Sequence, residues 1–150
     1  MGLDQWAYAA MPHPENTDFS CFWHTDEYDA ESDKVTRTHD LATWRKHPNL
    51  QGWMEQAWLD KLELAGESMP VQTEGWFAGT VVFNCQPVRL TFEDLAYLEE
   101  AIKYERLPAT SGFFFGGDSD DHYREQDLEF VRLAIKAIGQ DMEVYYSSWW

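Results

Sequence analysis

Cysteine is scarce in this chain: Cys21 and Cys85 are the only two in 150 residues. There is no CxxC pair and no Cys/His set at zinc-finger spacing, which excludes a disulfide framework and the common structural zinc sites. Both cysteines sit in apolar, strand-like runs, so buried free thiols in a reducing compartment are expected. Bases are also few, with 11 Lys and Arg against 27 Asp and Glu, a formal net charge of −16. Holding a phosphate backbone needs a basic face, and the charge argues against direct nucleic-acid binding. The chain has no G-x-S-x-G elbow, no Ser-x-x-Lys and no glycine loop ending in Gly-Lys-Ser/Thr, so the familiar hydrolase and P-loop chemistries lack their motifs. No window approaches the ~20 apolar residues of a membrane-spanning helix. The opening MGLDQWAYAAMPHPENTD lacks the basic start and apolar run of a signal peptide.

Core-forming material is plentiful. Hydrophobic residues make up 44% of the chain and aromatics 16%, enough for one domain without metal or disulfides. A chain of this length buries roughly 70% of its unfolded surface. The acids are spread: residues 1–75 hold 14 against 5 bases, and residues 76–150 hold 13 against 6. A disordered acidic tail is therefore not the source of the charge. An acidic surface suits basic partners, among them proteins built to hold DNA or RNA.

Pattern reading gives an α+β order. The first twenty residues look irregular, with Pro12 and Pro14 as breakers. DFSCFWHT, residues 18–25, reads as a first strand, followed by the acidic loop DEYDAESD. Asp40 is expected to cap a helix over LATWRKH that Pro48 ends. Asn49 is expected to cap a longer helix with a stripe of Leu50, Trp53, Met54, Ala57, Trp58 and Leu62, closed by Gly66. GWFAGTVVFNC and QPVRL read as strands. TFED, from Thr91 to Asp94, is a capping-box variant opening a helix with Leu95, Leu98 and Ile102 inward. FFF reads as a buried strand leaving through GGDSDD, where Gly116 and Gly117 supply the turn. A helix over residues 126–138 and a closing strand in MEVYYSSWW complete the chain. The expected architecture is a single domain over residues 1–150: a mixed sheet of four to five strands with three to four helices, and an acidic extension over residues 1–40.

The candidate sites are modest. Asp118, Asp120, Asp121 and His122 offer oxygen and nitrogen ligands for a divalent ion, but neither an EF-hand nor a P-loop pattern surrounds them. A polar turn beside a helix N-terminus explains the same aspartates. His24 and Asp26 share a strand face at i, i+2, and His47 before Pro48 reads as a helix end. Cys21 and His24 point to opposite sides of a strand, which leaves cysteine catalysis unsupported. Two acidic clusters remain: residues 15–33, including Asp26, Glu27, Asp29, Glu31 and Asp33, and residues 118–129. Spaced carboxylates imitate duplex phosphates, and Trp23, Tyr28 and Tyr123 are the aromatic anchors nearest to them.

WRKHPNLQGWMEQ, FNCQPVRLTFEDLAYLEEAI, LPATSGFFFGGDSDD, DLEFVRLAIKAI and VYYSSWW occur in that order over roughly residues 44–150. This string resembles a family of small phage-encoded acidic proteins of unassigned function. Members are sometimes labelled phosphoglycerate kinase, but the chain is too short for that enzyme and has no nucleotide-binding loop. The resemblance implies a phage product in the host bacterial cytoplasm. It brings no catalytic residues.

Charge and resemblance together give an interaction protein rather than an enzyme, working without a cofactor. The expected partner is a host protein with a basic nucleic-acid-binding surface, such as a CRISPR effector or restriction enzyme. Binding it would make the chain a DNA mimic that inhibits host defence. A homodimer is a further expectation; nucleic acid and membrane are not expected partners. The alternative is a small metal-dependent hydrolase or nucleotide-binding protein using Asp118 to Asp121, His122 and His24.

Overall fold

The computed structural model describes residues 2–21, 39–68, 83–112 and 115–150. In chain order the elements are β1 (Asp4–Ala10), β2 (His39–Arg45), α1 (Pro48–Ala65), β3 (Val88–Leu90), α2 (Phe92–Lys103), α3 (Asp120–Gly139) and β4 (Glu143–Trp149). The strands form one sheet in the order β2-β1-β4-β3. The α+β class is as expected; all three pairings are antiparallel, so this sheet is antiparallel rather than mixed.

The N-terminal stretch expected to be irregular supplies a central strand. DQWAYAA has no β-branched residue, so its propensity is weak. It holds because both edges are paired, to β2 and to β4. Alternation then sends Gln5, Ala7 and Ala9 to one face and Trp6, Tyr8 and Ala10 to the other. The first strand expected at residues 18–25 is not formed over Asp18 to Cys21, where Thr17 and Ser20 make only an isolated bridge; its remainder lies outside the described residues.

The helix expected over LATWRKH is β2 instead, and Asp40 caps nothing. Trp44 faces the core while Arg45 is exposed. Pro48 begins a helix rather than ending one: it occupies the first turn of α1, where its fixed φ fits and no N–H is needed. Asn49 lies inside that helix and His47 is the residue before it. At the other end Gly66 turns left-handed at φ 69° and its N–H bonds back to Glu63 and Leu62.

Leu50, Met54, Trp58 and Leu62 of α1 meet Leu95, Leu98 and Ile102 of α2 and Phe130, Val131 and Ala134 of α3. All pack on the sheet face made by Ala7, Ala9, Trp44, Val88, Leu90, Val144 and Tyr146. Three helices thus cover one face of four strands. The capping box at the start of α2 forms as expected, with Thr91 Oγ1 accepting from Asp94 N (3.2 Å) and Asp94 Oδ2 from Thr91 N (2.8 Å). Lys61 reaches Asp94 at 2.7 Å and ties α1 to α2. On the opposite sheet face Tyr8 and Tyr145 stack at 5.6 Å beside Ala10 and Cys21. Burial pushes the Cys21 thiol up to about 11. Cys85, expected to be buried, is exposed in a turn at φ 59°.

Of FFF, expected as a buried strand, only Phe115 is described, and it lies in no strand. Among the described residues β4 is paired by β1 on one edge and by β3 on the other. Phe115 sits in a turn and packs edge-on against Trp150 at 5.3 Å; Phe113 and Phe114 lie outside the described residues, as does most of GWFAGTVVFNC. Gly116 makes the expected turn at φ 80°. The helix that follows begins at Asp120, well before Gln126, and takes Asp120 and Asp121 into its first turn, where the dipole favours them.

Trp58 is 1% exposed and lies against Phe83 at 5.0 Å. Trp58→Ala should cost about 3–5 kcal/mol in urea unfolding; a loss below about 1 kcal/mol would mean that α1 does not pack as described.

Candidate functional site

Asp127 is the one acid on the inner side of α3, a turn before Phe130 and Val131. Its neighbours explain how a carboxylate is tolerated there. Trp44 Nε1–H donates to Oδ1 at 2.8 Å, and His47 Nε2 lies 2.7 Å from Oδ2. The His47 and Asp127 side chains are 0% and 1% exposed. Such a carboxylate stays buried only when its oxygens are satisfied.

The network extends from there. Gln5 of β1 clasps the His47 backbone: its Nε2 donates to His47 O (3.0 Å) and its Oε1 accepts from His47 N (2.8 Å). Gln5 Nε2 also donates to the Tyr146 hydroxyl (2.9 Å), which donates to Gln51 Oε1. Burial pushes the Tyr146 phenol far above its usual range. Gln51 Nε2 is buried without a partner, a desolvation penalty the network carries. Strands β1, β2 and β4 and helices α1 and α3 are thereby joined through polar groups inside an apolar core.

Ser119, just before α3, faces His47 Nδ1 at 3.2 Å. Ser119, His47 and Asp127 have the order of a catalytic triad, yet three features oppose that role. Ser119 Oγ also lies 3.1 Å from Lys46 O, so two acceptors compete for its one proton. The His47 ring is shut away from water, stacked on Tyr123 at 4.8 Å, and has no path to a leaving group. Asp118 and Asp120 flank the serine in the chain, Asp120 Oδ1 lies 3.9 Å from His47 Nδ1, and their charge would repel a developing oxyanion. The crevice next to it, lined by Ile102, Leu107, Asp120, Asp121, Arg124 and Asp127, measures about 20 Å³. That holds about one water, against the hundreds of Å³ of a substrate pocket. The constellation is a structural tie.

The expected site residues divide. Asp118 and Asp121 are exposed as a partner-binding role requires. Asp120 is turned toward Asn49, whose Nδ2 donates to both its oxygens at 3.1 Å. Partial burial raises the Asp120 carboxyl above its usual range; the Asn49 hydrogen bond works against this and the Asp118 charge adds to it. Tyr123, expected as an aromatic anchor, is committed inside the fold. Its hydroxyl accepts from Arg45 N (3.2 Å) and donates to Arg45 O (2.7 Å), closing that end of the β2 edge. Asp118, Asp120, Asp121 and His122 do not gather: among the described residues no three His, Cys, Asp or Glu side chains converge to hold a metal. Trp23, His24, Asp26, Glu27, Tyr28, Asp29, Glu31 and Asp33 lie outside the described residues. His47, read as a helix end, is instead the buried partner of Asp127.

What the sequence reading missed on the surface is α2. Its outward side carries Glu93, Glu99 and Glu100 with a single base, Lys103, which pairs with Glu99. Phe92 (53%), Tyr97 (68%) and Tyr104 (63%) are exposed beside them. The outer sides of α1 and α3 add Asp60, Glu63, Asp121 and Glu125. The helical layer therefore presents acid and aromatic surface together.

Asp127→Ala strands the His47 ring and the Trp44 N–H and should cost about 3–5 kcal/mol in urea unfolding. Ser119→Ala, which loses one shared hydrogen bond, should cost about 0.5–1.5 kcal/mol. Equal losses would contradict the central place of Asp127. The Asp120 shift has a sign of its own. A folded-state pKa above the unfolded one makes the ionised group unfavourable, and this penalty fades as pH falls through the folded pKa. Asp120→Asn should therefore gain stability relative to wild type near pH 7 and lose that advantage near pH 3; an advantage independent of pH would contradict it.

No protein-family model matches this chain, and neither a curated protein nor a solved structure is significantly similar to it.

Proposed function

We propose that this chain is an acidic interaction protein that binds a basic, nucleic-acid-holding surface of another protein and blocks nucleic-acid access to it. The observation that carries this reading is the helical layer: Asp60, Glu63, Glu93, Glu100, Asp121 and Glu125 are exposed, and Phe92, Tyr97 and Tyr104 are exposed among them. Carboxylates at that density draw a cationic groove over the Debye length, about 8–10 Å in physiological salt. Aromatic side chains then supply the short-range contact that charge lacks. The polar residues nearest to an enzyme site are spent inside the fold. No described helix is long and apolar enough to cross a membrane.

The resemblance to small phage proteins points this reading toward bacterial defence. The target is then a CRISPR effector or a restriction enzyme, met in the host cytoplasm and inhibited stoichiometrically by a DNA mimic.

Purified effector or restriction enzyme, loaded with labelled duplex DNA, tests the proposal. The chain should displace the DNA at about 50 mM salt, and its affinity should fall at least tenfold at about 500 mM, because the attraction is screened. Failure to displace DNA from any such complex, or displacement insensitive to salt, would count against it.

A further inference from the structure

Glu93, Tyr97, Glu100 and Tyr104 stand at i, i+4, i+7 and i+11 along α2 and the residue that caps its C-terminal end. At 100° per residue these four fall on one stripe, running about 16 Å along the helix. All four are exposed, and the opposite side of α2, with Leu95, Leu98 and Ile102, is buried in the core. Acid and phenol ring alternate, so Tyr97 lies between two carboxylates one turn away on either side.

We propose that this stripe is the docking surface of the protein and that its ligand is an arginine-bearing segment of a basic protein; the inference rests on the function proposed above. Charge selects a cation. The choice of arginine over lysine comes from the rings. A planar guanidinium stacks on a phenol face while its N–H groups reach carboxylates at the edge, whereas an ammonium is a compact, strongly hydrated point charge. The chain itself shows the fit: Arg106 holds its guanidinium carbon 5.3 Å from the centre of the Tyr104 ring. Tyr97, the most exposed of the aromatics on this helix at 68%, has the same ring and the nearer pair of acids. Lys103 pairs with Glu99 and leaves Glu93 and Glu100 to face outward. A second copy of this chain, carrying the same −16, is repelled from the stripe.

Fluorescent oligoarginine and oligolysine peptides of equal length, titrated into the protein, test the assignment. Wild type should prefer oligoarginine by about fivefold or more, since stacking adds to charge. Y97A/Y104A should bind both peptides alike and still release them in salt. E93Q/E100Q should weaken both. These positions are exposed, so the fold should survive, with circular dichroism as the control. Equal binding of both peptides by wild type, or a preference that outlives Y97A/Y104A, overturns the stripe but leaves the broader acidic-surface reading standing. Failure of wild type to bind either peptide removes both. Self-association through α2, seen in sedimentation and abolished by Y97A/Y104A, overturns the arginine ligand in favour of a second copy.

Discussion

A carboxylate, an imidazole and an indole N–H meet out of reach of water, and the rest of the fold is arranged around that meeting. Asp127 comes from α3, Trp44 from the end of β2, and His47 from the residue before α1. Each would be costly if left unpaired in an apolar interior. Together they fix where β2 stops, where α1 starts and how α3 lies across the sheet. Gln5 and Tyr146 bring the two central strands into the same network. Apolar packing supplies the bulk of the driving force. The polar centre adds the requirement that the elements meet in one arrangement, because a half-satisfied network is worse than none.

This centre also bears on function. His47, Ser119, Asp127 and Tyr123 are the side chains a search for chemistry would choose first, and all four are occupied in holding backbone or one another. Among the described residues, the helical layer turns exposed carboxylates and the rings of Phe92, Tyr97 and Tyr104 outward. Electrostatic attraction with aromatic contact is the mode of action such a surface supports. On the function proposed above, it leads to binding and obstruction.

Much of the helical layer is legible in the sequence. The stripe of Leu50, Met54, Trp58 and Leu62 and the TFED box lead directly to α1 and α2, since both are local patterns. β1 and β2 are not legible in this way. DQWAYAA owes its extended form to neighbours on both edges, one of them contributed by the last residues of the chain. HDLATWR has no decisive period over seven residues, and Pro48 can begin a helix as well as end one. The polar centre joins residues 80 positions apart, a convergence that no single sequence displays. One signal was there: Asp127 stands a turn before Phe130 and Val131, on the apolar side of α3, where a carboxylate implies a buried partner. The α2 stripe is equally readable at helical spacing, though its acids are fewer than in the longer acidic runs elsewhere.

His47 and Asp127 act as a unit at the centre of the fold. A double-mutant cycle with His47→Gln and Asp127→Asn, read by urea unfolding, measures their coupling directly. We predict a coupling of about 1–3 kcal/mol, with the double variant much less destabilised than the sum of the two single ones. Additive losses, with a coupling near zero, would show that the two side chains do not support each other and that the fold is organised elsewhere.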